Sequence, residues 1–370
     1  MLCSEEYRDI EEKILRGERL SRADGIRLFH CHDIAWLGAL ADTVRRRKCG
    51  DVVYYNVNCH VNLTNICTSR CKFCAFGRDA EDAGAYAMTK AQAIAVVRDA
   101  MRDPDLAGLH IVSGLHPTWT FEEYLDIVRA LHETFPKLYI KGFTGVEITH
   151  FAKTSGLSVR EVLTRLRDEA GLQAIAGGGA EILSDRVRGR LCPNKATAAE
   201  WLETMRTAQA LGIRTNASMM YGHVETVRER IEHLLAIRDL QDETGGFQAF
   251  LLFPFHPAHT KLGEERQLTR VGAWEDLKMM ALSRLVLDNV PHMKAFWVML
   301  TLPIAQLALG FGADDLDGTI GEEKIIHAAG AQTGTGITKA RLAAMIREAG
   351  YEPVERDARY ERMGKAGETA

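Results

Sequence analysis

Cysteine is scarce in this chain, with 8 in 370 residues. The start, Met1-Leu-Cys-Ser-Glu-Glu-Tyr7, lacks the basic and apolar segments of a secretory signal. A disulfide-stapled scaffold is therefore not expected. Long hydrophobic runs are also missing. The longest apolar stretches, Phe247–Phe255 and Phe296–Leu302, are too short to span a bilayer. Excess charge of either sign is absent as well: 46 Lys+Arg face 50 Asp+Glu, a formal net charge of −4. No basic field argues for nucleic acid. The expected setting is the reducing cytoplasm. With 46% hydrophobic and 26% charged residues, the composition is that of an ordinary globular protein. The length suits one large α/β domain, or one such domain with a helical extension.

Three of the scarce cysteines stand together in Asn65-Ile-Cys-Thr-Ser-Arg-Cys-Lys-Phe-Cys-Ala-Phe76. Cys67, Cys71 and Cys74 form C-x3-C-x2-C, and no fourth cysteine follows nearby. A zinc site normally takes four ligands in paired knuckles, and His60 is badly spaced to complete one. An iron–sulfur cubane takes one thiolate per iron. A triad leaves the fourth iron open to an outside ligand, and an open position marks a catalytic site. The remaining cysteines (Cys3, Cys31, Cys49, Cys59 and Cys192) are scattered and read as small hydrophobes.

Residues 1–50 read as a helical segment, with Ser21 as an N-cap. Apolar or β-branched runs follow at Val53–Leu63, Leu109–Ser113, Leu138–Thr144, Leu172–Ala176, Thr215–Tyr221, Phe247–Phe255 and Ala295–Leu300. Amphipathic segments between them open with capping boxes: Thr89…Gln92, Thr120…Glu123, Ser158…Glu161, Thr197…Glu200 and Thr226…Glu229. Strand followed by capped helix, repeated, predicts βα units over 51–302, wound into a full or partial barrel. Residues 303–370 read as a C-terminal extension packed on it, with a helix over Thr338–Ala349 and a loose end. Asp314, Asp315 and Asp317 lack the calcium-loop spacing and read as a polar turn.

In parallel α/β folds, ligands bind at the carboxyl ends of strands. The cysteine loop follows the first strand. Ser113-Gly-Leu-His-Pro117, Thr144-Gly-Val-Glu147, Gly177-Gly-Gly-Ala-Glu181, Tyr221-Gly-His-Val-Glu-Thr226 and Pro254-Phe-His-Pro257 end the later ones. All are expected at one mouth. The glycine run permits close backbone approach to a ligand. The Glu181 carboxylate suits an ammonium or ribose hydroxyls. None of His116, His223, His256 and His327 has the spacing of a helical metal pair.

The cysteine loop, with Phe73 before its last cysteine, resembles that of the radical S-adenosylmethionine (SAM) enzymes. Together with Gly114-Leu-His-Pro117, the Gly177–Glu181 run, Tyr221–Thr226 and Asp239–Phe247, it resembles their menaquinone and deazaflavin branch. Leu115 departs from the Gly-His-His-Pro stretch expected there. The resemblance implies a radical SAM (β/α) barrel. It implies a [4Fe-4S] cluster on Cys67, Cys71 and Cys74, and SAM as co-substrate, with Gly177, Gly178, Gly179 and Glu181 lining its site. The implied reaction adds a 5′-deoxyadenosyl radical to the enol ether of a small-molecule substrate, 3-[(1-carboxyvinyl)oxy]benzoate, in menaquinone biosynthesis. His116, His223 and Arg284 are candidates for the substrate carboxylates, Arg284 because arginine binds carboxylate bidentately. A reductant such as flavodoxin or ferredoxin is implied, and the oligomeric state stays open. The other readings are hydrogen abstraction, as in the cyclase and deazaflavin members of the branch, and a non-catalytic iron–sulfur electron carrier.

Overall fold

The computed structural model describes residues 5–363. Ten strands, β1 Val52–Asn56, β2 Asn58–Val61, β3 Gly108–Ile111, β4 Tyr139–Thr144, β5 Leu172–Ala176, β6 Arg214–Tyr221, β7 Phe247–Pro254, β8 His292–Lys294, β9 Asp315–Gly318 and β10 Glu352–Glu355, form one sheet. Its order is β10-β1-β9-β8-β7-β6-β5-β4-β3-β2, and the strands run parallel. Only Val57 separates β1 from β2. The end strand β2 and the penultimate strand β1 are therefore one continuous stretch of chain, so the sheet curls back on itself, with β10 added along β1. Two backbone hydrogen bonds reinforce the seam: His60 N–H donates to Ile320 O at 3.3 Å, and Thr319 N–H to Asn56 O at 3.1 Å.

Local chemistry explains the helices that cover the barrel. All five capping boxes read from the sequence form, and Ser21 caps Arg22–His30. A further box joins Thr144 to Glu147 at the end of β4. Each box satisfies amide donors that the first helical turn leaves without partners. Thr226→Ala is expected to cost about 1 kcal/mol in a urea titration. The helix against the last strand spans Lys339–Glu348 with Thr338 as its N-cap.

Two expectations for the chain after residue 290 need correction. The apolar run Ala295–Leu300 is not a strand: β8 is His292–Lys294, and Trp297–Leu300 is a helical turn that buries Trp297. Asp315–Gly318 is not a surface turn but β9, a central stave of the sheet. Its acidic residues are buried because cations reach them: Lys294 Nζ lies 2.9 Å from Asp317 and Arg356 Nε 2.6 Å from Asp315. Buried charges of this kind need such partners. The segment after residue 303 thus supplies two staves, β9 and β10.

Among the described residues no helix is long and apolar enough to cross a membrane. Cys31, Cys59 and Cys192 are buried and Cys49 is half-buried, as small hydrophobes would be. Cys3 and residues 364–370 of the loose end lie outside the described residues.

Candidate active site

A cavity of about 320 Å³ opens at the carboxyl ends of the strands. Cys67, Cys71 and Cys74 all line it, with Gly114, Thr144, Glu147, Gly177, Gly178, Gly179, Glu181 and His256 from four of the five strand-end loops named above. The fifth loop contributes only the residue before it, Met220.

The cysteine loop is held by backbone contacts on several sides. Cys67 N–H donates to Arg78 O at 3.1 Å, and Thr68 N–H to Leu115 O at 2.9 Å. Lys72 N–H donates to Leu191 O, and Leu262 N–H to Lys72 O, both at 2.8 Å. Asn65 braces the far side, its Nδ2 donating to Gly84 O at 2.9 Å and its Oδ1 accepting from Tyr86 N–H at 2.8 Å. Gly114 passes directly beneath, where a Cβ would sit 2.5 Å from Ile66 O. Gly114→Ala is therefore expected to push the loop aside and lower iron and sulfide incorporation, measured per chain after anaerobic reconstitution.

The donor set fits a cubane. Among the described residues, no three His, Cys, Asp or Glu side chains converge closely enough to hold a single metal ion. Thiolates that each take a different iron do not need to converge on one point. Gly77 N–H already donates to Cys74 Sγ at 3.4 Å, the type of hydrogen bond that tunes a cluster sulfur. Cys192, read above as a small hydrophobe, neighbours Cys71, and its thiol together with burial raises the Cys71 pKa.

The glycine run after β5 is fixed through its carbonyls. Ser218 Oγ donates to Gly177 O at 2.7 Å, and Trp201 Nε1 to Gly178 O at 3.3 Å. The buried Arg188 reaches Gly179 O at 3.1 Å and Ala180 O at 2.7 Å. At Gly177 a Cβ would lie 2.8 Å from the backbone of Ala217, so the close approach of β6 requires glycine. Glu181 carries a salt bridge from Lys195 Nζ at 2.8 Å, and that ammonium lies 5.0 Å over the ring of Phe73. Burial works against the Lys195 charge, but Cys71 and Glu181 outweigh it and raise its pKa.

Glu147 ties two strand ends together, accepting from Ser113 N–H and Thr144 N–H at 2.7 Å each. Its burial raises the carboxyl pKa from 4.5 to about 7, against those hydrogen bonds. At this carboxyl the native state therefore binds more protons than the unfolded chain between these values. The Glu147 contribution to stability falls as pH rises through the window, opposite in slope to that of the imidazoles whose pKa burial lowers, His60, His110 and His233. Glu147→Gln is expected to remove this contribution, read as a difference between wild-type and variant urea midpoints that changes with pH across the window.

Three sequence candidates lie elsewhere. The side chain of His223 is buried away from the cavity, with Nδ1 2.7 Å from Glu225 and Nε2 3.0 Å from Met220 O. His116 does not line the cavity: its Nδ1 accepts from the Thr118 and Trp119 amides at 3.3 Å each, and its ring stacks on Trp119. Arg284 is fully buried on a helix outside the barrel and bonded to Gly312 O, Pro291 O and Asp314. Its guanidinium has no room for a ligand.

What sequence reasoning missed lies in the barrel. His60, His110 and Lys141 pair in register across β2, β3 and β4 and all line the cavity. The signal was a polar residue in the middle of short apolar parallel strands, where both faces are normally apolar.

Residues 61–237 match the radical SAM superfamily and residues 244–368 the CofH/MqnC C-terminal region. The chain is 46% identical to aminodeoxyfutalosine synthase of Thermus thermophilus, over 95% of this chain and 94% of that protein. It belongs to the radical SAM superfamily. Aminodeoxyfutalosine synthase of Streptomyces coelicolor is 43% identical over 96% of this chain and 93% of its own. A 5-amino-6-(D-ribitylamino)uracil–L-tyrosine 4-hydroxyphenyl transferase of Methanococcoides burtonii is 38% identical over 95% and 98%. The barrel also superimposes on methylornithine synthase with a TM-score of 0.72 at 15% identity, covering 93% of this chain and 97% of that one. As a radical SAM protein, the chain works with a [4Fe-4S] cluster and SAM.

Proposed function

We propose that this chain catalyses the aminodeoxyfutalosine synthase reaction. The observation that carries this reading is near-full-length identity of 46% and 43% to two such synthases, above the 38% to the hydroxyphenyl transferase. When bound, the cluster delivers one electron to SAM and frees methionine and a 5′-deoxyadenosyl radical. Cys67, Cys71 and Cys74 would hold three irons of the cluster and leave the fourth for SAM. Gly177–Gly179 and Glu181 form the wall beside it, with Lys195 neutralising Glu181 until a ligand ammonium competes. The apolar rim of Phe73, Phe253, Phe255 and Phe296 excludes water from the radical and offers rings to a benzoate. The radical adds to the enol-ether double bond of 3-[(1-carboxyvinyl)oxy]benzoate. The ring then moves from the ether oxygen to the vinyl carbon, and the oxygen becomes a ketone. The vinyl carboxyl group leaves as carbon dioxide together with the one electron that SAM cleavage took up, giving aminodeoxyfutalosine, a step towards menaquinone. A flavodoxin or ferredoxin supplies the electron, in a reducing cytoplasm.

The test is an anaerobic incubation of the cluster-loaded chain with dithionite, SAM and the enol ether. The expected products are aminodeoxyfutalosine and methionine in equal amounts. Free 5′-deoxyadenosine without an adenosine-containing adduct would overturn the synthase reading in favour of hydrogen abstraction.

A further inference from the structure

The floor of the cavity carries one cation too many. Three basic side chains gather in the barrel, Lys141 on β4, Lys294 on β8 and Arg356 just beyond β10, with two carboxylates, Asp315 and Asp317, from β9. The carboxylates are already committed, Asp317 to Lys294 at 2.9 Å and Asp315 to Arg356 at 2.6 Å. Among the described residues, Lys141 has no carboxylate within ion-pair distance. An unpaired ammonium half-buried in a cavity wall is costly, and a site that keeps one is prepared for an anion that arrives from outside. Beside Lys141 in the same register stand His110 and then His60, their rings 4.6 Å apart. His110 Nδ1 is buried without a partner.

We propose that Lys141, flanked by His110 and His60, is the receptor for the ring carboxylate of the substrate. This rests on the reading under Proposed function. Position along the strand selects which of the two carboxylates is bound. Lys141 lies three residues below Thr144 at the end of β4, about 10 Å at the usual rise of a strand. The cysteine loop and the glycine run stand at the strand ends, so the vinyl carbons react there. The ring carboxylate is the group of the substrate farthest from those carbons, and it points down the barrel. His116, His223 and Arg284 are then not needed for this end of the molecule.

The free site also has a proton signature. Burial, then repulsion from Lys294, lowers the Lys141 pKa to about 7 against the attraction of Asp317, with Arg356 and Asp315 adding smaller opposed effects. Burial also lowers the pKa of His60, to about 4, and that of His110, so both neighbours stay neutral near pH 7. A bound carboxylate restores the lysine charge, so binding near neutral pH takes up a proton.

Anaerobic calorimetry without reductant, on the cluster-loaded chain with SAM, tests this free of turnover. The two probes are 3-[(1-carboxyvinyl)oxy]benzoate and its analogue with a carboxamide in place of the ring carboxylate. The wild type is expected to prefer the diacid at least about tenfold, the scale of one charged hydrogen bond. Lys141→Met is expected to bind both alike. Lys141→Arg should restore the preference but lose the proton uptake, measured in buffers of different ionisation enthalpy. Equal preference in wild type and Lys141→Met overturns this inference alone. If the wild type binds neither probe, the reading of the reaction falls and this inference falls with it.

Discussion

Alanine at Cys67, Cys71 or Cys74 is expected to abolish the cluster and all SAM cleavage, a loss of at least ~10⁶-fold towards the uncatalysed rate. In the proposed site each thiolate would take one iron of a cubane that has no fourth protein ligand. Little redundancy is available to a loop whose backbone is tied to Arg78, Leu115 and Leu191. Cys192 is the informative control because its thiol neighbours Cys71 and raises the Cys71 pKa. Cys192→Ala is expected to keep the full iron content and visible absorbance. If the cluster survives Cys71→Ala but not Cys192→Ala, Cys192 and not Cys71 is the ligand.

Arg284→Met is expected to destabilise the fold by about 3–5 kcal/mol while leaving substrate affinity unchanged in the folded protein. The Arg284 guanidinium is bonded to Asp314 at 2.6 Å with both side chains fully buried. Asp314 also accepts from the Met293 amide at 2.6 Å and faces His292 Nδ1 at 2.5 Å. Through these contacts one carboxylate joins the helix bearing Arg284 to the start of β8 and to the chain entering β9. Removing the arginine leaves that carboxylate buried with weaker partners, and urea unfolding reads the loss. A variant as stable as wild type that no longer binds the diacid would restore Arg284 as a substrate residue.

The barrel was legible in the sequence wherever strands are apolar and helices begin with a capping box. Leu172–Ala176 is read to the residue, and all five boxes form. Legibility ends where charge enters the barrel. β9, Asp-Leu-Asp-Gly, looks like a turn because the cations that neutralise it come from β8 and from beyond β10, remote in sequence. The cysteine loop is visible because its candidate ligands are local. Lys141, His110 and His60 stand far apart in the chain, and only strand register brings them side by side. His223 illustrates the opposite error. A polar strand-end motif suggested the mouth, but Glu225 draws the imidazole away from the cavity, and with His223 and Arg230 it holds its own pKa down at about 2 despite burial.

Three thiolates at the barrel mouth are proposed to leave one iron open for SAM. Electron paramagnetic resonance of the dithionite-reduced chain, with and without SAM, addresses that open position most directly. The expected result is a [4Fe-4S]⁺ signal whose g-values shift when SAM is added and whose intensity is lost in Cys67→Ala. A reduced-cluster signal unchanged by saturating SAM would mean that no iron is open, and would leave the chain an electron carrier.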